Sequence, residues 1–323
     1  MTVLAEVVRS GFVESRHHGS VVAVDAAGHI LLSGGTPDEL VFPRSASKPM
    51  QAVTALRTGM AEKFGLTDRH LAIIAASHSG EQLHLDLVRE VLSRAAVAES
   101  DLGCPRGWPL DETMRRTLAA RDVQPSRIFH NCSGKHAGML AACVAAGWPI
   151  QGYTAPEHPL QVQVRSVIEA FAGETAVAVG VDGCGAPVFA TSLTSIARSF
   201  ARLTSAAPDS PAYAVAAAMR AHPEVVGGSG RDVTDLMVAV PGLLAKDGAE
   251  GVYAAATAAG IGIAIKIDDG AARARMPVLI AALQRLGALP ESDELAALAR
   301  PAVLGGGERV GEVRAVDGLA AKP

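Results

Sequence analysis

The sequence is poor in aromatic residues, in lysine and in long apolar runs. Aromatic residues make up only 4% of the 323 residues, whereas 49% are hydrophobic, so Ala, Val, Leu and Ile must fill the core. No segment reaches the roughly 18 uninterrupted apolar residues that a membrane helix needs. The first twenty residues lack a basic start followed by an apolar run, which predicts no secretory signal and a cytoplasmic location.

The chain also has no excess of positive charge, since its formal net charge is -4. Neither a phosphate backbone nor an anionic membrane is therefore expected as a main partner. The cysteines are Cys104, Cys132, Cys143 and Cys184. In a cytoplasmic chain of this size they predict thiols or metal ligands and not a disulfide framework.

Lysine is scarce, because only six of the 29 basic residues are lysines. These are Lys48, Lys63, Lys135, Lys246, Lys266 and Lys322. An amine can lose its proton or bind a metal, which a guanidinium cannot do under ordinary conditions. Lysines within polar motifs are therefore candidates for chemistry, whereas Lys63 and Lys322 fit ordinary surface positions.

The pattern of apolar residues predicts an α/β (α+β) fold with an antiparallel sheet. Strand-like alternation occurs near both ends of the chain, and helical periodicity dominates the middle. The interpretation is one domain over 1–323, with a sheet lobe at about 1–45 and 240–290 and an inserted helical lobe at about 46–235. TAVAVGVDGCGAPVFA is interpreted as a buried strand that enters a glycine-rich turn, and the tail after Pro301 is expected to pack loosely.

The stretch FPRSASKPMQ contains a possible serine nucleophile. Pro49 is most comfortable in the first turn of a helix, which places Ser45 and Lys48 at the helix mouth, three residues apart. A neutral Lys48 could take the Ser45 proton, and free backbone amides there could hold an oxyanion. The alternative is a polar helix start with a solvated lysine, and spacing alone favours that alternative.

Four further islands carry polar residues. ASHSGEQ places Ser77 and His78 after an apolar run, where either a pocket wall or a capping box from Ser79 to Gln82 would fit. FHNCSGKHAG and VDGCGAP bring cysteines into separate turns, where zinc ligands or two ordinary buried thiols would fit. LLAKDGAEG ends a short strand with Lys246, which either supplies a second amine or lies exposed in a turn; Lys266, beside two aspartates, is less attractive.

Seven motifs in one order resemble a known family. They are VESRHHGS, PRSASKPMQ, ASHSGE, NCSGKHAGM, VDGCGAP, GRDVTDLM and AKDGAEGVYAA. Together they resemble the asparaginase II family, the rhizobial-type or thermolabile L-asparaginases. The resemblance implies a fold similar to serine β-lactamases, transpeptidases and glutaminases, hydrolysis of L-asparagine to L-aspartate and ammonia, and a homodimer.

The resemblance also implies two serine-lysine pairs, Ser45 with Lys48 and Ser77 with Lys246. We favour Ser45 as the nucleophile, because the helix mouth can stabilise an oxyanion. Attack by Ser77 is the alternative, and Lys266 is the alternative second lysine. With Ser45 as the nucleophile, Ser77 and Lys246 would relay protons.

A zinc ion near the substrate is the third implication, held by Cys132, Lys135 and Cys184. The substrate-binding candidates that complete the pocket are Asp182, His78 and Arg231. Some relatives have a cysteine where this chain has Asp232, which bears on the redox sensitivity and the affinity of the pocket.

Two other functions fit parts of the sequence. A β-lactam-recognising serine hydrolase or a glutaminase would also use a Ser-x-x-Lys arrangement. A non-catalytic zinc-binding or thiol-responsive protein would use Cys132 and Cys184 and would turn over no amide.

Overall fold

Strands from the two ends of the chain pair into one antiparallel sheet in the computed structural model, which describes residues 2–316 and 320–321. The strands are β1 Thr2–Arg9, β2 Phe12–Val24, β3 Ile30–Gly34, β4 Leu40–Val41, β5 Ala178–Val181, β6 Pro187–Ser192, β7 Leu244–Asp247, β8 Val252–Ala256, β9 Gly262–Ile267, β10 Ala302–Gly305, β11 Glu308–Ala315 and β12 Ala320–Ala321. The order across the sheet is β10-β11-β1-β2-β9-β8-β7, and β3 pairs with β2 and β12. The predicted fold class is confirmed.

Most helices lie between β4 and β7 in the chain, so the helical region is inserted into the sheet. They are α1 Lys48–Leu56, α2 Met60–Phe64, α3 Asp68–Ile74, α4 Gln82–Arg94, α5 Glu112–Ala120, α6 Ser133–Ala146, α7 Pro159–Ala172, α8 Leu193–Thr204, α9 Pro211–Ala221, α10 Pro223–Val226, α11 Asp232–Ala239, α12 Arg275–Arg285 and α13 Asp293–Ala299. Among the described residues, no helix has both the length and the apolar character that crossing a membrane requires.

A second, small sheet has the order β4-β6-β5. β6 is the central strand and is buried along its whole length, whereas β5 is an edge strand and is largely exposed. Val181 is 80% exposed. The prediction of a buried strand before the glycine-rich turn is therefore wrong for β5, because only β6 has a neighbour on both sides.

The chain after Pro301 does not pack loosely over residues 302–315. β11 pairs with β1 in an antiparallel register that sets Ala5 opposite Ala315, and β10 pairs with β11. This hairpin covers the edge of β1, which would otherwise present unpaired backbone groups. The expectation of a loose tail is wrong for this segment.

Close backbone approaches fix the helices on the sheet and on one another. α8 packs against β2, β8 and β9, and a Cβ at Gly262 of β9 would lie 2.0 Å from the Ala197 carbonyl oxygen of α8. A Cβ at Gly134 of α6 would lie 2.2 Å from the Ile73 carbonyl oxygen of α3. Glycine therefore lets α6 begin directly beside the end of α3, where the polar islands meet.

Replacing Gly262 by alanine should destabilise the fold. The new methyl group meets a backbone carbonyl that cannot rotate away, and overpacking of this kind costs about 2 kcal/mol or more of unfolding free energy. The matched control is Gly107→Ala, since a Cβ at Gly107 meets nothing within 4 Å. Urea unfolding followed by circular dichroism measures both; equal stabilities of the two variants would contradict this account of α8 packing.

Candidate active site

Lys48 is the first residue of α1, and its amine is buried. Its side chain is among the largest that are fully buried, with 1% relative exposure. Nζ donates to the Ala76 carbonyl at 2.6 Å, to the Ser77 hydroxyl at 2.9 Å and more weakly to the Asn131 carbonyl at 3.4 Å. The serine bonded to Lys48 is thus Ser77, which is distant in sequence.

Ser45 lies in the 3-10 turn Arg44–Ser47 that precedes α1. It is partly exposed, and within the described part of the chain its hydroxyl makes no side-chain hydrogen bond to Lys48 or to another residue. The turn packs against β7 and β8. Ser45 therefore remains accessible at the mouth of α1, while Ser77 is 2% exposed and lies deeper.

Arg44 is a site residue that the sequence analysis did not single out. Its φ is +51°, a left-handed backbone conformation that is uncommon outside glycine and that often marks functional sites. Its Nε donates to the Asp182 carboxylate at 2.7 Å. Burial opposes ionisation, but the charges of Lys135 and Arg44 keep the pKa of Asp182 below its ordinary value. Asp182 thus links the serine turn to the β5–β6 turn.

The segment after α3 is held by the loop that follows α10. The Ser77 amide donates to the Val226 carbonyl at 3.0 Å, and the Ser79 hydroxyl donates to the Gly227 carbonyl at 2.9 Å. Ser79 is not the N-cap of α4, since that position is taken by Glu81 in a capping box with His84. The hydroxyls of this island therefore serve the site and the loop, and not the helix start.

His78 is fully buried and faces α6. Its Nε2 lies 2.9 Å from the Ser133 hydroxyl, which itself donates to the Ile128 carbonyl, so the His78 ring donates and Ser133 accepts. The ring stacks on His84 with centroids 5.2 Å apart. Burial and the positive surroundings lower the pKa of His78 well below its ordinary value. His78 accordingly supports the start of α6 as a neutral ring.

Cys132, Lys135 and Cys184 meet in space although two different turns carry them. The Lys135 amine, 2% exposed, lies 2.8 Å from the Cys184 sulfur. A hydrogen bond from Cys184 is the main reason that the pKa of Cys132 lies well below its ordinary value. Burial lowers the pKa of the Lys135 amine, but the neighbouring Cys184 and Cys132 sulfurs raise it above the ordinary value.

Two sulfurs and one nitrogen form a donor set that would suit a thiophilic cation such as zinc. Asp182 stands next to this set, as Cys184 Sγ donates to its carboxylate at 3.7 Å. Groups of three or more His, Cys, Asp or Glu with metal-binding geometry do not occur among the residues described. The set differs from such groups because one of its three donors is a lysine.

Lys246 is the third buried amine of the site. Located on β7, it is 0% exposed, and its Nζ donates to the carboxylate of Asp247 and to the Asp247 carbonyl at 2.9 Å. Burial lowers the pKa of Lys246 to about 8, and the positive charge of Lys48 acts in the same direction. Lys266 lies outside this group, since its amine donates to the Glu250 and Ile267 carbonyls near the surface.

Arg231, at the N-terminus of α11, connects the two halves of the site. One guanidinium nitrogen donates to the Asp247 carboxylate at 2.8 Å, and another contacts the Ser77 carbonyl and the Ser79 hydroxyl at 3.4 Å. Arg231 is a residue predicted from the sequence, whereas Asp247 is not, although Asp247 is adjacent to Lys246 in the motif AKDGAEG. That adjacency was the available signal.

The chain was compared with known proteins. A family model described as L-asparaginase II matches residues 5–315. No curated protein matches. The similar solved structures include a protein described as a putative β-lactamase from Bacteroides dorei (13% identity, 77% of this chain and 84% of that chain, TM-score 0.44) and a β-lactamase from Mycobacterium bovis (13%, 83% and 94%, TM-score 0.44). They also include Mglu, crystallised in 4.3 M NaCl (15%, 90% and 66%, TM-score 0.47).

Proposed function

The chain belongs to the L-asparaginase II family, and we propose that it hydrolyses L-asparagine to L-aspartate and ammonia through a serine ester. The observation that carries this proposal is the buried Lys48 amine within 2.9 Å of the Ser77 hydroxyl, with the accessible Ser45 one turn before Lys48. An amine within hydrogen-bonding reach of a serine hydroxyl can exchange protons with it, and proton transfer of this kind is what acyl transfer through a serine ester requires.

We assign nucleophilic attack to Ser45 and proton transfer to Lys48, Ser77 and Lys246. Ser45 is partly exposed at a helix mouth, where backbone amides favour developing negative charge, whereas Ser77 is buried. Ser77 is bonded to Lys48 and can pass a proton. Lys246 supplies the second amine, and its low pKa suits a group that must become neutral.

The reaction then runs in two halves. Ser45 Oγ attacks the side-chain amide carbon as its proton passes to the neutral Lys246 amine, with Lys48 and Ser77 as relays. The C–N bond then breaks, and Lys246 returns the proton to the nitrogen that leaves as ammonia. Water attacks the resulting β-aspartyl ester while giving a proton to the same amine. Aspartate leaves as Ser45 Oγ regains a proton.

We propose zinc as a cofactor, held by Cys132, Lys135 and Cys184. Lys135 would have to release its proton to act as a neutral ligand, and the charge of a dication would favour that release. When bound, zinc supplies positive charge that orients the substrate; Ser45 and the lysines supply the nucleophile and the base. Asp182 would hold the set through its contact with Cys184. A homodimer in the cytoplasm remains part of the proposal.

The first test is a substrate panel. The wild-type protein should release ammonia from L-asparagine faster than from L-glutamine and should leave the β-lactam nitrocefin intact. A coupled glutamate dehydrogenase assay, with and without added zinc, measures the ammonia. Nitrocefin turnover without ammonia release would favour a β-lactam hydrolase, and zinc binding without turnover of either amide would favour a non-catalytic protein.

Serine variants test the assignment of roles. Ser45→Ala should lower kcat for asparagine on the order of a thousandfold or more, because the bond-forming oxygen is removed. Ser77→Ala should lower kcat by about a hundredfold, the scale of a lost proton relay. The control is Ser93→Ala on the exposed face of α4. Near-full activity of Ser45→Ala together with a dead Ser77→Ala would reverse the two roles.

Metal analysis tests the zinc assignment. After incubation with zinc and gel filtration, wild-type protein should retain about one zinc ion per chain by mass spectrometric elemental analysis, and Cys184→Ser should retain far less. Cys143→Ala, which removes a buried thiol of α6 away from the set, is the control. Equal zinc content in Cys184→Ser and wild type would exclude this donor set.

A further inference from the structure

Asp247 is a buried carboxylate that two cations share. One carboxylate oxygen accepts from the Lys246 amine, and the other accepts from Arg231 at 2.8 Å. Lys246 is fully buried, while the side chains of Asp247 and Arg231 are 10% and 25% exposed. The three residues therefore form a cluster with one more positive than negative charge, largely removed from water.

Such a cluster can become neutral only by releasing a proton from Lys246. A guanidinium does not lose its proton in proteins, whereas an amine does so readily when it is buried. Two further charges act on this balance, since Lys48 of α1 lowers the pKa of Lys246 and Arg275 of α12 lowers the pKa of Asp247. The elements that pack against β7 also carry charged or titratable groups, which are Arg44 of the turn before α1, Tyr213 and Arg220 of α9, Asp232 and Asp235 of α11 and Tyr253 of β8.

Most of these groups are engaged elsewhere. Arg44 bonds Asp182, Arg275 contacts Asp232 and the Gly248 carbonyl, and Arg220 bonds a carbonyl of its own helix. The hydrogen-bond partners of the Asp247 carboxylate are therefore Lys246 and Arg231. Burial opposes its ionisation, but the charges of these two residues keep the pKa of Asp247 below its usual range.

The guanidinium of Arg231 is held in place by its own loop. The Glu81 carboxylate accepts from the Ser229 amide at 2.6 Å and from the Ser229 hydroxyl at 3.2 Å. Gly228, with a φ of +116°, lets the loop pass so close that a Cβ there would lie 2.6 Å from Glu81 Oε1. The guanidinium itself is held by its contacts to the Ser77 carbonyl, the Ser79 hydroxyl and the Asp247 carboxylate.

We propose that Arg231 is a positioning residue that shares the negative charge of Asp247 with Lys246. The Lys246 amine thereby loses its proton more easily and can act as a proton acceptor. Arg231 acts through Asp247 and not through the substrate. This inference rests on the proposed function for its catalytic meaning, whereas the competition itself is a property of the protein without substrate.

The sign of the expected effect follows from the charges. Lys246 must be neutral to accept a proton, so kcat/KM for asparagine should rise with pH through about 8, the pKa of Lys246. Without Arg231, the whole Asp247 charge acts on Lys246, and the rise should move up by roughly one pH unit. Without the Asp247 charge, the rise should move down. A purely structural role would shift neither.

The experiment measures the Lys246 titration directly and the pH profile in parallel. Protein labelled with 13Cε-lysine has only six lysine signals, and a Lys246→Arg variant identifies the signal of interest. We expect the Lys246 midpoint to rise in Arg231→Met and to fall in Asp247→Asn. Arg231→Lys, which keeps the charge, should return the midpoint toward the wild-type value. The exposed Arg116→Met is the matched control and should change nothing.

The outcomes separate the two hypotheses. An unchanged Lys246 midpoint in Arg231→Met, with a raised KM for asparagine, would overturn the inference and assign Arg231 to the substrate. If the wild type hydrolyses no asparagine, the proposed function fails, yet the NMR titration still decides the competition for Asp247. Where Arg231→Met does not fold, Asp247→Asn decides alone, since a midpoint that does not fall would overturn the inference.

Discussion

Three lysine amines are buried, and the site is organised around the free-energy cost of removing an ammonium charge from water. An ammonium ion taken out of water must find hydrogen-bond acceptors or an opposite charge, or give up its proton. Lys48 donates to backbone carbonyls and to a hydroxyl, and Lys135 donates to a sulfur. Lys246 donates to one oxygen of the Asp247 carboxylate, whose other oxygen accepts from Arg231. The acceptors come from distant parts of the chain, so the lysines also tie those parts together.

The fold supplies these acceptors at the ends of its elements. α3 ends before the Ala76 carbonyl and Ser77, α6 begins at the segment that carries Lys135, and β7 ends at Asp247, the residue after Lys246. Gly134 lets the start of α6 approach the end of α3 to backbone contact. Because the ends of elements leave backbone groups unpaired, they are where a buried amine can be bonded without breaking a helix or a strand.

The sequence was informative about local pattern and much less about long-range partners. Alternation and helical periodicity predicted a sheet built from strands near both ends of the chain, with helices inserted between them. The scarcity of lysine indicated the three amines that are buried. Spacing linked Lys48 to Ser45, whereas the structure bonds Lys48 to Ser77, because i,i+3 spacing reports only on neighbours within one helix. The left-handed backbone of Arg44 has no sequence signal, since arginine seldom adopts it.

The three amines differ in what their surroundings make of them, and this difference argues for a division of roles. Sulfur neighbours raise the pKa of Lys135, which favours a positive charge at that point, whether a proton or a metal ion carries it. Burial lowers the pKa of Lys246 and favours the neutral amine, although the charge of the neighbouring Asp247 acts in the opposite direction. Lys48, bonded to the Ser77 hydroxyl, lies where protons can pass. In the proposed mechanism one residue type thus serves as a cation, a base and a relay, because the partner of each amine differs.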